Sequence, residues 1–254
     1  MLNTIEIVPK QLEKIFSLPK NMFGDVYVAF IPGDPVENII SCCEKLVNKG
    51  FSVIPHLPAR NIKDENELEN FLFQLNKLNV KKILAIGGSS SEKKPTFSST
   101  YEIFETGIFE NFDFDQINIA GHPEGNPFDE KPDENLKKKL DWIVKKNYNC
   151  NIVTQWTFDT EQTNIWLEKI NKDISNISNN TEIHIGIAGP AKFTTLLKYA
   201  KVCGVSASSI VAKNKGLGLT KLLRHNPKDI IESLVGYDNL HFFPFGGINE
   251  LIEW

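Results

Sequence analysis

The chain has few cysteines and places none of them where a metal or a disulfide framework would need it. The four, Cys42, Cys43, Cys150 and Cys203, form no C-x-x-C pair and have no histidine at finger-like spacing. Buried free thiols are the expectation, and no metal site is read. No apolar run is long enough to span a bilayer, so no membrane partner is expected. Met1 to Lys10 lack a basic stretch followed by an apolar core, so no secretory signal is read there and a cytoplasmic protein is expected. Charge of one sign is also lacking: a formal net charge of -4 gives no reason to expect nucleic acid as a partner. No glycine- and serine-rich linker divides the 254 residues, so a single domain over 1–254 is expected. Nucleotide-loop spacing is missing too, since neither Gly87-Gly88-Ser89 nor Gly216-Leu217-Gly218 continues as G-x-G-x-x-G or as a P-loop.

What is present is alternation. Short β-rich runs at 4–8, 26–31, 52–55, 82–86, 117–120, 151–155, 184–188 and 240–245 are separated by segments of helical periodicity. Val36, Ile39, Ile40, Cys43, Leu46 and Val47 form one apolar stripe. Asp34 is the expected cap, with Pro35 at the first helical position and Glu37 at the third. Leu68, Phe71, Leu72, Leu75 and Leu78 repeat the pattern. Eight such units in a chain of this length predict an α/β fold, a single (β/α)8 TIM barrel, with a doubly wound open sheet as the alternative. The long gap at 205–224 is read as an extra helix or a lid.

Chemistry in such a barrel collects at the carboxyl ends of the strands. Glu6, His56, Gly87-Gly88-Ser89, the segment Ala120-Gly-His122-Pro-Glu124-Gly-Asn126-Pro127, Gln155, Asp159 and Gly246-Gly247 all fall there. Each has a plainer reading. Glu6 can be a solvated carboxylate, His56 a hydrogen-bonded core residue, and Glu124 a turn cap. Phe193, in register with Leu196, Leu197 and Ala200, can be packing.

Taken in order, Ile5-Glu6-Ile7-Val8-Pro9, Pro55-His56-Leu57, Leu84-Ala85-Ile86-Gly87-Gly88, His122-Pro123-Glu124-Gly125-Asn126-Pro127 and Thr154-Gln155-Trp156-Thr157-Phe158-Asp159 resemble motifs of the methylenetetrahydrofolate reductase family. The resemblance implies a barrel that binds flavin adenine dinucleotide (FAD), takes electrons from NADH or NADPH, and reduces methylenetetrahydrofolate to methyltetrahydrofolate. It implies Glu6 as general acid, with Gln155 and Phe193 on the folate. His56, Gly87, Gly88, Ser89, His122, Asn126 and Lys139 would lie at the cofactor. The sequence also departs from the family. Gly87 and Ser89 replace the arginine and aspartate of L-R-G-D, while His122 and Asn126 replace the tyrosine and second histidine of Y-P-E-x-H-P. These departures leave two other readings open: a non-catalytic folate-binding protein and a folate-dependent methyl-transfer enzyme on the same scaffold. Tetrahydrofolate derivatives are the implied partners, and homo-oligomerisation stays open. For Glu6 to act as an acid near neutrality, a buried carboxyl with a raised pKa is expected. Glu124 is expected to brace the loop that presents His122 and Asn126.

Overall fold

The computed structural model describes residues 2–88, 94–178, 180–203 and 224–254. Eight parallel strands form a closed barrel. They are Thr4–Ile7, Val26–Val28, Val53–Pro58, Lys82–Ile86, Gln116–Gly121, Asn151–Trp156, Glu182–Ala188 and Asn239–Phe243, called the first to the eighth strand below. Each pairs with its neighbours in sequence, and the ring closes where Thr4 and Ile5 of the first strand meet His241 and Phe242 of the eighth. All eight β-rich runs are therefore strands, and the open sheet is excluded by that closure. The third strand runs on to Pro58, past the expected end at residue 55, because all six of its residues are buried.

Helices α1 (Leu12–Phe16), α2 (Glu37–Asn48), α3 (Glu65–Lys77), α4 (Thr100–Glu105), α5 (Pro132–Lys145), α6 (Thr160–Ser175) and α7 (Phe193–Cys203) surround the barrel. Two shorter helices, Lys228–Ser233 and Ile248–Glu253, flank the eighth strand. The stripes bury as their spacing dictates: Ile39, Cys42, Cys43 and Leu46 on α2, and Leu68, Phe71, Leu72 and Leu75 on α3. Asp64 caps α3, its carboxylate accepting from the Glu67 amide at 2.8 Å, while Glu67 accepts from the Lys63 amide at 2.6 Å. The expected Asp34 cap does not form. Helix α2 starts at Glu37 with Val36 at the cap position and no side-chain cap, because the turn at Pro35 and Val36 is closed by backbone bonds to Asn38 and Ile39.

The main core lies between barrel and helices, and Cys42, Cys43 and Cys150 are buried free thiols within it. A second, small apolar cluster of Tyr27, Ile54, Leu84 and Val153 plugs the barrel interior. Two residues beyond Ile54 on the same inward face stands His56. The interior thus turns polar toward the carboxyl ends of the strands. No helix among the described residues is long and apolar enough to cross a membrane.

Candidate active site

Glu6 faces into the barrel, since its carboxylate reaches across the second strand to the third. One oxygen, Oε2, lies 3.0 Å from His56 Nε2 and 3.5 Å from His241 Nε2. The His56 contact is close in distance but off the hydrogen-bond line. His56 Nδ1 accepts the Phe30 amide proton at 3.3 Å, which places the ring proton on Nε2, toward Glu6. Burial pushes the Glu6 carboxyl up, but the imidazoles of His56 and His241 together outweigh it and hold the group down at about 2. The expectation of a raised pKa is therefore corrected: sequence type alone hides the two imidazoles that stabilise the ionised form. His56, expected at the cofactor, points at Glu6.

Gln155 sits at a β-bulge. The sixth and seventh strands pair Val153 with His184 and Trp156 with Gly186, so the sixth carries one extra residue. Only glycine fits opposite it, for a Cβ at Gly186 would lie 2.5 Å from the Thr154 carbonyl oxygen and 2.6 Å from that of Gln155. The Thr154 hydroxyl takes the ladder's place and accepts the Gly186 amide at 2.7 Å. Gln155, at this bulge, is half-buried.

The neighbouring fifth-strand loop is tied down by Glu124, as expected. Its Oε1 accepts from Thr157 Oγ1 at 2.7 Å, the Phe158 amide at 2.6 Å and the Asp159 amide at 2.9 Å. Asp159 in turn caps α6 through the Gln162 amide at 3.0 Å. Within the loop His122 Nε2 and Asn126 Nδ2 stand 3.3 Å apart, so these two are brought together. Lys139 of α5 has no ion-pair partner among the described residues, and burial lowers its ammonium to about 8. Burial and the charge of Lys139 lower His122 to about 4, with Arg60 adding a smaller push.

Arg60 was not singled out from the sequence. It follows the third strand, and its guanidinium lies against Gly87, where a Cβ would be 2.6 Å from Nη2. Its backbone amide donates to the Gly87 carbonyl at 3.0 Å, Nη1 donates to the Gly88 carbonyl at 3.5 Å, and Nε is buried without a partner. Gly88 has φ +75, a conformation open to glycine. An arginine from the third strand thus occupies the space that a side chain at Gly87 would need. Ser89 lies outside the described residues, as does 205–223 of the expected lid. Gly246 packs against the Pro190 carbonyl, which accounts for its missing side chain.

Aromatic rings line the rim of the sixth to eighth strands. Half-buried, Phe193 opens α7 and meets Phe158 edge-on at 6.5 Å and His225 at 6.1 Å. Tyr199 stacks on Phe245 at 4.2 Å and Phe245 on Phe243 at 5.5 Å. His241, Tyr27 and Arg60 are the residues that sequence reading missed. The only signal was a lone histidine in the apolar run Leu240-His241-Phe242-Phe243 and an arginine just past a strand.

Comparison with known proteins gives two kinds of likeness. The 4-hydroxy-tetrahydrodipicolinate synthase of the thermoacidophilic methanotroph Methylacidiphilum fumariolicum SolV is 12% identical, with 92% of this chain and 77% of that chain covered and a TM-score of 0.47. A D-allulose 3-epimerase from Methylomonas sp. is 11% identical over 96% of this chain and 85% of that one, also at 0.47. Neither likeness bears on what this chain does. The second kind is a match to the sequence model of methylenetetrahydrofolate reductase, over residues 33–215, which takes in His56, Gly87, His122, Lys139, Gln155 and Phe193. That match covers well over half of the sequence, and the chain belongs to the methylenetetrahydrofolate reductase family.

Proposed function

We propose that the protein, within the folate-related reductase role of its family, reduces 5,10-methylenetetrahydrofolate to 5-methyltetrahydrofolate with electrons from NADH or NADPH passed through bound FAD. The observation that carries the reading is Glu6, a carboxylate inside the barrel mouth held between imidazoles from the third and eighth strands. Members of this family generally use FAD. The residues present fit such a group: the buried unpartnered Nε of Arg60 and the unpaired ammonium of Lys139 suit an anionic cofactor, and glycines at 87 and 88 suit close approach. Arg60 would take the part of the arginine that the sequence lacks at 87. His122 and Asn126 would line the same side, and the rings around Phe193 and Phe245 would receive flat ligands. When bound, the flavin supplies the hydride.

The protein's own chemistry concerns the folate. Its one-carbon unit bridges two nitrogens in a five-membered ring, and hydride adds readily only once one C–N bond has opened to an iminium cation. The leaving nitrogen must gain a proton as that bond breaks. Glu6 acts twice: as a carboxylate it favours the cation beside it, and when loaded with a proton it is the donor, a role worth roughly a hundred- to ten-thousand-fold. Gln155 would hold the pterin through its amide. The test supplies methylenetetrahydrofolate and reduced nicotinamide to protein reconstituted with FAD and follows donor oxidation. Wild type should turn over, and Glu6→Gln should lose about a hundred-fold or more in kcat while still binding folate. Absence of donor oxidation by the wild type, or near-normal turnover by Glu6→Gln, overturns the reading.

A further inference from the structure

The side chain of Phe193 has no polar atom to fix its ring, so its place at the rim is set by what packs on it. Two rings do so. Phe158 lies 6.5 Å away and His225 6.1 Å away, both edge-on, and those two stand 4.9 Å from each other, which closes a triangle. Phe158 is anchored through its own backbone, whose amide donates to Glu124 Oε1 at 2.6 Å. His225 is anchored through its side chain. Its Nε2 lies 3.1 Å from the Ala188 carbonyl, where the seventh strand ends, and because a carbonyl only accepts, that nitrogen carries the proton. The residue is only 4% exposed, so it presents almost nothing to a ligand at the mouth. The backbone around it is fixed as well. Ala191 pairs with His225 and Lys192 with Arg224 in a two-residue antiparallel ladder that ends directly before Phe193. Arg224 pairs with Glu250, and Asn226 Oδ1 accepts from Trp254 Nε1 at 2.8 Å. Residues 224–226 are thereby tied both to the seventh strand and to the end of the chain.

We propose that His225 is a positioning residue for the substrate, holding the Phe193 ring at the angle that receives the flat part of the folate. The proposal rests on the reading of the protein as a folate reductase. Two properties of the imidazole are needed together. Its N–H locks the ring to the end of a barrel strand, and the ring itself fills the space between Phe158 and Phe193. Phenylalanine at this position would keep a ring and lose the lock, taking from the Ala188 carbonyl its imidazole donor. Glutamine would keep a donor and lose the ring. In either case Phe193 gains freedom to turn, and freedom that the folate must freeze on binding is paid in affinity. That loss is the same for bound substrate and for transition state, so it falls on KM and leaves kcat nearly alone.

The test uses the full chain reconstituted with FAD and measures folate KM, kcat and FAD affinity for wild type, His225→Phe, His225→Gln, Phe193→Leu and the double variant His225→Gln/Phe193→Leu. Each His225 variant should raise KM about ten-fold, with kcat within about three-fold of wild type and FAD affinity unchanged. With leucine at 193 there is no ring left to hold, so the double variant should match Phe193→Leu within about two-fold. Effects that multiply in the double variant overturn the proposal, as does a parallel loss of FAD affinity or a KM unchanged in both His225 variants. Should His225→Gln not fold, His225→Phe takes its place in the cycle. Amide hydrogen exchange at residues 191–193 needs no ligand and should be faster in both His225 variants; an unchanged rate also overturns the proposal. If wild type neither binds nor reduces the folate, the reading of function fails and the exchange rates alone decide whether His225 holds Phe193.

Discussion

Replacing Glu124 by glutamine asks whether one carboxylate oxygen fixes the geometry of two strand ends. That oxygen accepts three hydrogen bonds, from the Thr157 hydroxyl and the Phe158 and Asp159 amides, at 2.7, 2.6 and 2.9 Å. Bonds to a charged acceptor are worth about 1.5–3 kcal/mol net, and neutral ones about 0.5–1.5. Glutamine can keep all three through its carbonyl, so each weakens by about 1 kcal/mol. They share an atom and do not add fully, and about 2 kcal/mol is the expected loss. Its amide would also place two donors where the buried Oε2 has no partner, which adds to that figure. At this chain length about 2 kcal/mol lowers Tm by about 4–8 °C. Glu124→Ala leaves two amides unpaired and should cost about 4 kcal/mol. Urea denaturation of the three proteins gives the numbers, and a Glu124→Gln variant within about 0.5 kcal/mol of wild type would refute the argument that this brace carries charge-assisted bonds.

Gly186→Ala forces a Cβ to within 2.5 Å of backbone oxygen, so it should destabilise the barrel by about 2–4 kcal/mol and raise the KM for folate by displacing Gln155, as read by denaturation and steady-state kinetics. Arg60→Ala should weaken FAD affinity about ten- to a hundred-fold in fluorescence titration and leave the folate KM nearly unchanged. Lys139→Met should stabilise the fold at pH 7 by about 1–3 kcal/mol while weakening FAD binding. The ammonium titrates at about 8 when folded and near its ordinary 10.5 when unfolded, so the unfolded chain binds more protons between those values. Wild-type stability from this group should therefore rise with pH from 8 to 10.5, and the methionine variant should lose that slope in urea titrations across the window.

The fold was legible because its signals are local. The stripes on α2 and α3 and the eight apolar runs can each be counted in a short window, and length then limits the architecture. The capping of α3 by Asp64 is local too. The site was legible only in part, because its meaning lies in register. His241 reads as one polar residue in an apolar run until ring closure pairs it with Thr4 and sets it beside Glu6, more than two hundred residues away. The bulge at Gln155 has no sequence signature, since one extra residue in a strand shows only against the partner strand. Arg60 acquires significance only because Gly87, on the next strand, leaves room for its guanidinium. Glu6 was given the wrong direction of pKa shift for the same reason, since both imidazoles beside it come from distant strands.

The third strand joins the two halves of the mouth. His56 at its fourth position faces the Glu6 carboxylate, and Arg60, four residues on, lies over Gly87. One side of the opening thus concentrates a negative charge with imidazoles, where the proposed reaction develops a cation. The other gathers the unpaired charges of Arg60 and Lys139, where an anionic cofactor would sit. Reversing that order would put like charges together at both places and raise the energy of each ligand. The spacing along one buried strand, all of whose residues are held on both faces, fixes the separation of the two charge regions. A loop could not hold it so firmly. Substitutions that slide this strand, such as a larger residue at Ala59 in its buried turn, should therefore disturb acid loading and FAD affinity together, whereas changes at Lys139 should touch only the second.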